Sequence, residues 1–338
     1  MQAFLIRLLA FTALVLATTA MLRWHAPYHW ANTGWNSKLE AMQQDEEPFN
    51  VYFIGSSRTY HGVDPILFDS LVEGARSFNL GYLGTYGIEA LHLADEFLRA
   101  LPQDSESTTV VWELQHIRYA QLDTLHGTRR TYMFNGETIR TVVGHFIEWG
   151  SPPQILLYLI SGSDYLFGFG HCLDLMLAAT GYPEGNPASL GAGGRGFVPL
   201  VDNGSVWRKR RLYLSNPSIL EDRREQVLSA YLEPDWRYAS ETYLGALRDL
   251  ERLARSKGVR LVFAAYPRDP AVPPIYAGLD ARFQFDLNDP RVHPLLYDPV
   301  YTFDEGHLNA EGAAYFTKLL AAEFLRISDL PASTKQTQ

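Results

Sequence analysis

The chain has 338 residues, 46% of them apolar and 20% charged, enough apolar material to bury a sizeable core in one large domain with an elaboration. With 29 basic against 38 acidic residues the net charge is −9, which excludes nucleic acid as a partner because nothing would neutralise a phosphate backbone. A lone cysteine, Cys172, excludes an intrachain disulfide and a cysteine-based metal site; in its apolar run it reads as a small buried hydrophobe.

From Ala3 to Leu22 the sequence AFLIRLLAFTALVLATTAML carries a single charge, Arg7, and has no polar face, so residues 1–23 predict a transmembrane helix. Thr18-Thr19-Ala20 is a weak cleavage site, and a removed signal peptide is the alternative. Arg7 on the short leading tail fits an N-inside orientation, while Arg23 beyond the span weakens the charge difference. Both routes export the remainder of the chain. The expectation is a catalytic domain on the periplasmic side of the cytoplasmic (inner) membrane, or a secreted one after cleavage. Residues 24–48, polar and aromatic and ending in the acidic QQDEEP, read as a linker.

A strand-like run comes next, at Phe49 to Ile54, and ends at Gly55-Ser56-Ser57. Val63 to Val72 predicts a helix with Asp64 as N-cap and Pro65 in its first turn. Ser77 to Leu80 is a short second strand, Tyr86 to Ala100 an amphipathic helix, and Thr108 to Leu114 a third strand, apolar on both faces like those of a covered parallel sheet. The alternation then stops for residues 118–235, a mostly helical insertion rich in aromatics, Gly and Pro. Its segment Pro152 to Thr180 is too broken by Gly162, Gly168 and Gly170 to span a membrane and reads as capping helices with an apolar face. Arg208 to Arg211 reads as a solvated basic loop, with an anionic surface or lipid as its alternative contact. Alternation resumes with a helix at Ser240 to Lys257, with Leu244, Leu247 and Leu250 at helical spacing and Gly258 as C-cap. Strands at Val259 to Ala265 and near Phe283 to Leu287 precede a last helix, Asn309 to Leu325. The chain thus divides into an α/β core in two parts, 49–117 and 236–328, around the insertion, with a tail at 329–338. Strands alternating with helices predict a parallel sheet whose ligand lies at the carboxyl ends of the strands.

Three segments at such ends carry chemistry. Ser57, on a tight turn after the first strand, can present its hydroxyl at the sheet edge. Asp304 and His307, three residues apart just before the last helix, can supply the base a serine hydroxyl needs and the acceptor that orients it. Asn79 through Gly84 (NLGYLG) comes after the second strand, and its glycines let the backbone approach a ligand and donate N–H to an oxyanion.

In this order the three segments resemble the SGNH (GDSL-type) hydrolase superfamily over residues 49–116 and 240–327. The resemblance implies a three-layer α/β/α sandwich on a flavodoxin-like parallel sheet. It implies Ser57 as nucleophile, His307 as general base, Asp304 as its orienter, and the N–H groups of Ser57 and Gly84 as the oxyanion hole. Tyr266-Pro267 after the fourth strand is similar to the loop that precedes the family's Asp-x-x-His. Two positions depart from the pattern. Ser56 stands where the family has Asp, and the third block, Gly-x-Asn-Asp, is replaced by Glu113-Leu114-Gln115-His116-Ile117-Arg118. Gln115 or His116 is then the candidate for the missing side-chain donor. The Gly-Ser-Ser turn behind an N-terminal anchor looks like exported relatives, the D-alanyl-transfer protein of teichoic-acid synthesis and the O-acetyltransfer proteins of alginate and other exopolysaccharides.

The expectation is an exported, membrane-anchored serine esterase or O-acyltransferase acting through an acyl-serine on an acylated cell-envelope or exopolysaccharide carbohydrate, working within an envelope biosynthesis or export complex. A lysophospholipase-like lipid esterase and a catalytically silent glycan-binding or assembly module are the alternatives. Arg58 and Asn79 are candidate substrate contacts, and Gly191 to Phe197 (GAGGRGF) resembles a substrate lip. His61, His92, His126, His145, His171 and His293 show no ligand spacing, so no metal or cofactor is expected. Asn203-Gly204-Ser205 matches a glycosylation sequon by composition only.

Overall fold

The computed structural model describes residues 2–25, 33–85, 87–103, 105, 107–117, 136–167, 187–201, 207–216 and 218–328. Cys172, His126, His171, the 203–205 sequon and much of the insertion lie outside the described residues, as does the tail.

Five parallel strands form one sheet: β1 (Val51–Ile54), β2 (Ser77–Asn79), β3 (Thr109–Glu113), β4 (Arg260–Ala265) and β5 (Gln284–Asp286), in the order β2-β1-β3-β4-β5. β1 pairs with β2 from Val51 opposite Ser77 and with β3 from Val51 opposite Thr109. Because successive side chains point to opposite faces, each apolar strand feeds two cores. Tyr52, Ile54, Val110, Trp112, Leu261 and Phe263 face one core; Val51, Phe53, Val111, Val262 and Ala264 face the other.

Helices cover both faces. The first core is closed by α5 (Gly87–Ala100), α6 (Gly136–Glu148), α10 (Glu241–Ser256) and α11 (Val272–Gly278), through Leu93, Phe97, Phe146, Leu244, Leu247 and Ile275. The second is closed by α4 (Pro65–Leu71) and α12 (Ala310–Ser328), through Phe68, Phe316, Leu320 and Phe324. The sequence cues operate where predicted. Asp64 accepts from Ile66 and Leu67 N–H at the start of α4, and Gly258 takes the left-handed φ of 76° after α10.

The N-terminal apolar run forms a helix, α1 (Gln2–His25), with Phe4, Leu5, Ile6, Leu8, Leu9, Phe11 and Leu14 exposed. Among the described residues no helix is long and apolar enough to cross a membrane, the side chains at 19, 20 and 22–25 lying outside the description. This is where the predicted transmembrane helix and the fold part company. Beside α1 packs α7 (Pro152–Phe167), which leaves Leu156 and Leu159 exposed.

The residues expected to be a linker contain α2 (Thr33–Gln44), which belongs to the folded body: Trp35 and Lys38 are buried. The Lys38 ammonium donates to the carbonyls of Asn79 (2.9 Å), Gly81 (2.6 Å) and Gly196 (2.8 Å) and lies over the Tyr60 ring. Burial pushes its pKa well below the ordinary lysine value, yet three carbonyl acceptors are matched only by an ammonium with three N–H groups. The loop expected to be a substrate lip is held by the same bracket. Gly196, at φ 85°, sits so close to the Asn79 carbonyl that a Cβ would collide, and Asn79 N–H donates to Arg195 O. The loop is a strut, not a lip. Lys38→Met leaves three buried carbonyls without a donor and is expected to cost about 3–5 kcal/mol, read from the midpoint of denaturant unfolding.

Candidate active site

The strand order reverses between β1 and β3, so the connections that leave them lead in opposite directions and a cleft opens at their carboxyl ends. Ser56 and Ser57 come after β1, Glu113 ends β3 with Gln115 and His116 just beyond it, Arg268 and Asp269 come after β4, and Asp304 to His307 lie before α12. All of them line one cavity of about 590 Å³.

Ser57 begins a short helix, α3 (Ser57–Gly62), with Ser56 as N-cap accepting from Arg58 N–H. Gly55 is required before it, because a Cβ there would strike the Glu113 side chain and Thr59 Oγ1. The Ser57 Oγ lies 2.8 Å from His307 Nε2, and His307 Nδ1 lies 2.8 Å from Asp304 Oδ1. A carboxylate can only accept, so Nδ1 carries the proton, and Nε2 is left as acceptor for the serine hydroxyl. Asp304 Oδ1 also accepts from the N–H groups of Gly306 and His307. Burial pushes the Asp304 pKa up, but the hydrogen bond and charge of His307 with those two N–H groups outweigh it and leave it lowered.

Arg268 clamps this loop from below. Its guanidinium donates to the carbonyls of Asp304 (3.2 Å), His307 (2.6 Å) and Leu296 (2.6 Å) and to Thr302 Oγ1 (2.9 Å). It has no carboxylate partner among the described residues, and burial lowers its pKa to about 10. Its backbone takes φ 74°, unusual for a residue with a Cβ.

A fully buried acid, Glu113, holds the serine turn. It accepts from Ser56 N–H (2.7 Å), the Ser56 hydroxyl (2.8 Å) and the Thr59 hydroxyl (2.7 Å), and lies 3.8 Å from the Arg58 guanidinium. Arg58 also pairs with Asp269 at 2.9 Å, and Asp269 lies 3.3 Å from His116 Nδ1. Burial pushes Arg58 down, but the charges of Asp269 and Glu113 outweigh it, so its pKa is raised.

Of the residues singled out in the sequence, the fold brings Ser57, Asp304, His307, Arg58, Gln115 and His116 to the cavity. Asn79 does not reach it. Fully buried, its amide donates to Thr59 O and Val63 O and accepts from Gly81 N–H, so its bonding capacity is taken up inside the fold. Gly84 has φ 65°, and it is its neighbour Thr85 that lines the cavity. The Gln115 Nε2 is buried on the cavity wall with no hydrogen-bond partner among the described residues, while its backbone carbonyl is held by the Tyr243 hydroxyl. His61 beside the triad donates from Nδ1 to Val198 O, and burial lowers its pKa to about 4.

Glu113, Arg268 and Asp269 escaped sequence reasoning. The available signal was position: each sits at the carboxyl end of an apolar strand. The insertion supplies the opposite wall through α8 (Trp207–Ser215) and α9 (Ser218–Leu232), which contribute Lys209, Leu212, Ile219 and Arg223. The basic run expected to be a solvated loop is therefore part of a docked helix, with the Arg210 guanidinium donating to the carbonyls of Thr302 and Phe303. Among the described residues no group of three or more His, Cys, Asp or Glu could hold a metal ion.

In searches for relatives, no family model, no curated protein and no solved structure matches this chain.

Proposed function

We propose that this protein is a serine esterase or O-acyltransferase of the SGNH (GDSL-type) kind, working through an acyl-Ser57 intermediate. The observation that carries the reading is the continuous contact from Ser57 Oγ to His307 Nε2 and from His307 Nδ1 to Asp304, each at 2.8 Å. The strand order 2-1-3-4-5, which is that of flavodoxin-like sheets, supports the fold side of it.

In the first half-reaction the Ser57 hydroxyl attacks the ester carbonyl while His307 Nε2 takes its proton. Asp304 stabilises the imidazolium. Collapse of the tetrahedral intermediate breaks the bond to the alcohol oxygen, which receives the proton from His307 and leaves. An incoming hydroxyl then attacks acyl-Ser57, gives its proton to His307, and collapse returns that proton to Ser57. Water as acceptor makes the protein an esterase, and a sugar hydroxyl makes it an O-acyltransferase. The N–H of Ser57, at the first turn of α3 where helical bonding leaves donors free, and the unpartnered Gln115 amide are the oxyanion donors. Gln115→Ala is expected to lower kcat by about 10²- to 10³-fold with little change in KM.

The substrate class is an acylated cell-envelope or exopolysaccharide carbohydrate bearing acetyl or another small acyl group, since the cavity is large enough for a sugar ring beside the reacting ester. A lipid ester is the second reading, favoured by Leu212, Tyr213 and Ile219 on the cavity wall. The exposed apolar side chains of α1 support attachment of this domain to a membrane; an extracytoplasmic side and an envelope assembly complex complete the proposal and rest on the sequence resemblance alone. Co-sedimentation of the full chain with phospholipid vesicles, lost when Leu5, Leu9 and Phe11 are replaced by Ser, tests that attachment; no sedimentation of the wild type with vesicles defeats it.

The activity is tested with a fluorophosphonate probe on the full chain. Wild-type labelling that disappears in Ser57→Ala is the expected result. No labelling, or labelling that survives the substitution, would leave a silent glycan-binding or assembly module in its place.

A further inference from the structure

The inner charges of the cavity answer one another: Arg58 with Asp269 and Glu113, Asp304 with His307, and Arg268 with a set of carbonyls. The outer wall differs. Lys209 on α8 and Arg223 on α9 line the same cavity, and neither has an ion-pair or hydrogen-bond partner for its charged group among the described residues.

Helical spacing explains the lack of partners. The positions three and four residues from Arg223 are Ile219, Leu220, Gln226 and Val227, and those that α8 holds at that spacing from Lys209 are Leu212 and Tyr213. None is acidic. Arginines elsewhere on helix surfaces have acids at that spacing and pair with them: Arg224 with Glu221, Arg255 with Glu251, and Arg326 with Glu323. In a chain of net charge −9, two unanswered cations on a cavity wall do not arise from a generally basic surface. Their wall is fixed against the catalytic loop, because Arg210 binds the carbonyls of Thr302 and Phe303 just before Asp304. Glu305 also lines the cavity without an ion-pair partner among the described residues, so this part of the lining carries two cations against one carboxylate.

We propose that Lys209 and Arg223 form a subsite for an oxyanion group, carboxylate or phosphate, that the substrate carries apart from the ester handled at Ser57. This rests on the acyl-serine reading and narrows its substrate to acidic glycans or phosphate-bearing molecules.

The test uses the full chain and three acetyl esters: 4-acetoxybenzoate, 4-acetoxyphenyl phosphate and neutral p-nitrophenyl acetate. For Lys209→Gln with Arg223→Gln, the ratio of kcat/KM for an anionic over the neutral ester is expected to fall about tenfold, chiefly through KM. High salt should reproduce part of that fall in the wild type. Arg224→Gln, on a pair facing solvent, should leave the ratio as it is. The ester that loses more identifies carboxylate or phosphate. An equal loss on charged and neutral esters, or no loss, overturns the subsite. If Ser57 takes no probe and no ester is turned over, the acyl-serine reading fails on its own, and calorimetry then tests the subsite directly. Binding of 4-hydroxybenzoate or phenyl phosphate that weakens about tenfold in the double variant supports it; anions binding no tighter than phenol overturn it.

Discussion

Ser57→Ala and His307→Ala are each expected to lower ester turnover by about 10⁴- to 10⁶-fold, and the double variant to lower it no further. Non-additivity is the informative part. The serine oxygen is a competent nucleophile only while Nε2, 2.8 Å away, accepts its proton, so either loss removes the same step. Single-turnover kinetics of the three variants check this. If the two losses multiply, His307 acts independently of Ser57 and the base lies elsewhere. Asp304→Asn should keep the loop geometry, since an amide oxygen in the place of Oδ1 can still accept from His307 Nδ1 and from the N–H groups of Gly306 and His307, yet lower turnover by about 10³- to 10⁴-fold, because a neutral amide no longer stabilises the imidazolium.

Glu113→Ala is expected to be the most damaging substitution for the fold around the site, costing about 3–5 kcal/mol. It would leave the Ser56 N–H and the Thr59 hydroxyl without their acceptor and remove one of the two carboxylates that offset Arg58. The serine turn would then lose its floor, and kcat should fall by about 10²-fold through misplacement of Ser57. Denaturant midpoints and ester kinetics on the same samples measure both effects. Unchanged stability would mean that the Ser56 and Thr59 donors find water or another acceptor. Glu113→Gln, which keeps the volume and one oxygen, should fall between the two.

The strands and the helices that cover them were legible because apolar runs and their spacing are local properties. β3 reads as a strand covered on both faces and β4 as a strand directly after its helix, and Asp64 with Pro65 marks the start of α4. Ser57, Asp304 and His307 were legible through their order along the chain, since each adjoins a regular element at the same edge of the sheet. Lys38 was invisible for a physical reason. A lysine in a polar stretch reads as solvent-facing, and only the folded chain delivers three carbonyls from distant segments to its ammonium. Asn79 misled in the opposite sense: a polar residue after a strand suggested a ligand contact, and its amide is consumed by backbone groups of the neighbouring helix turn. Glu113 was in plain view as the one acid in TTVVWEL, but nothing local says whether such an acid faces substrate or braces the main chain.

Arg268 and Asp269 are consecutive, and that adjacency has a mechanical consequence. Arg268 grips the carbonyls of the histidine loop, while Asp269 pairs with Arg58, the residue next to the nucleophile. One short turn after β4 therefore serves as a common pivot for two segments about 250 residues apart in the chain. Nucleophile and base thus take their positions from one turn, so a substitution that displaces this turn is felt at both ends of the serine–histidine contact at once.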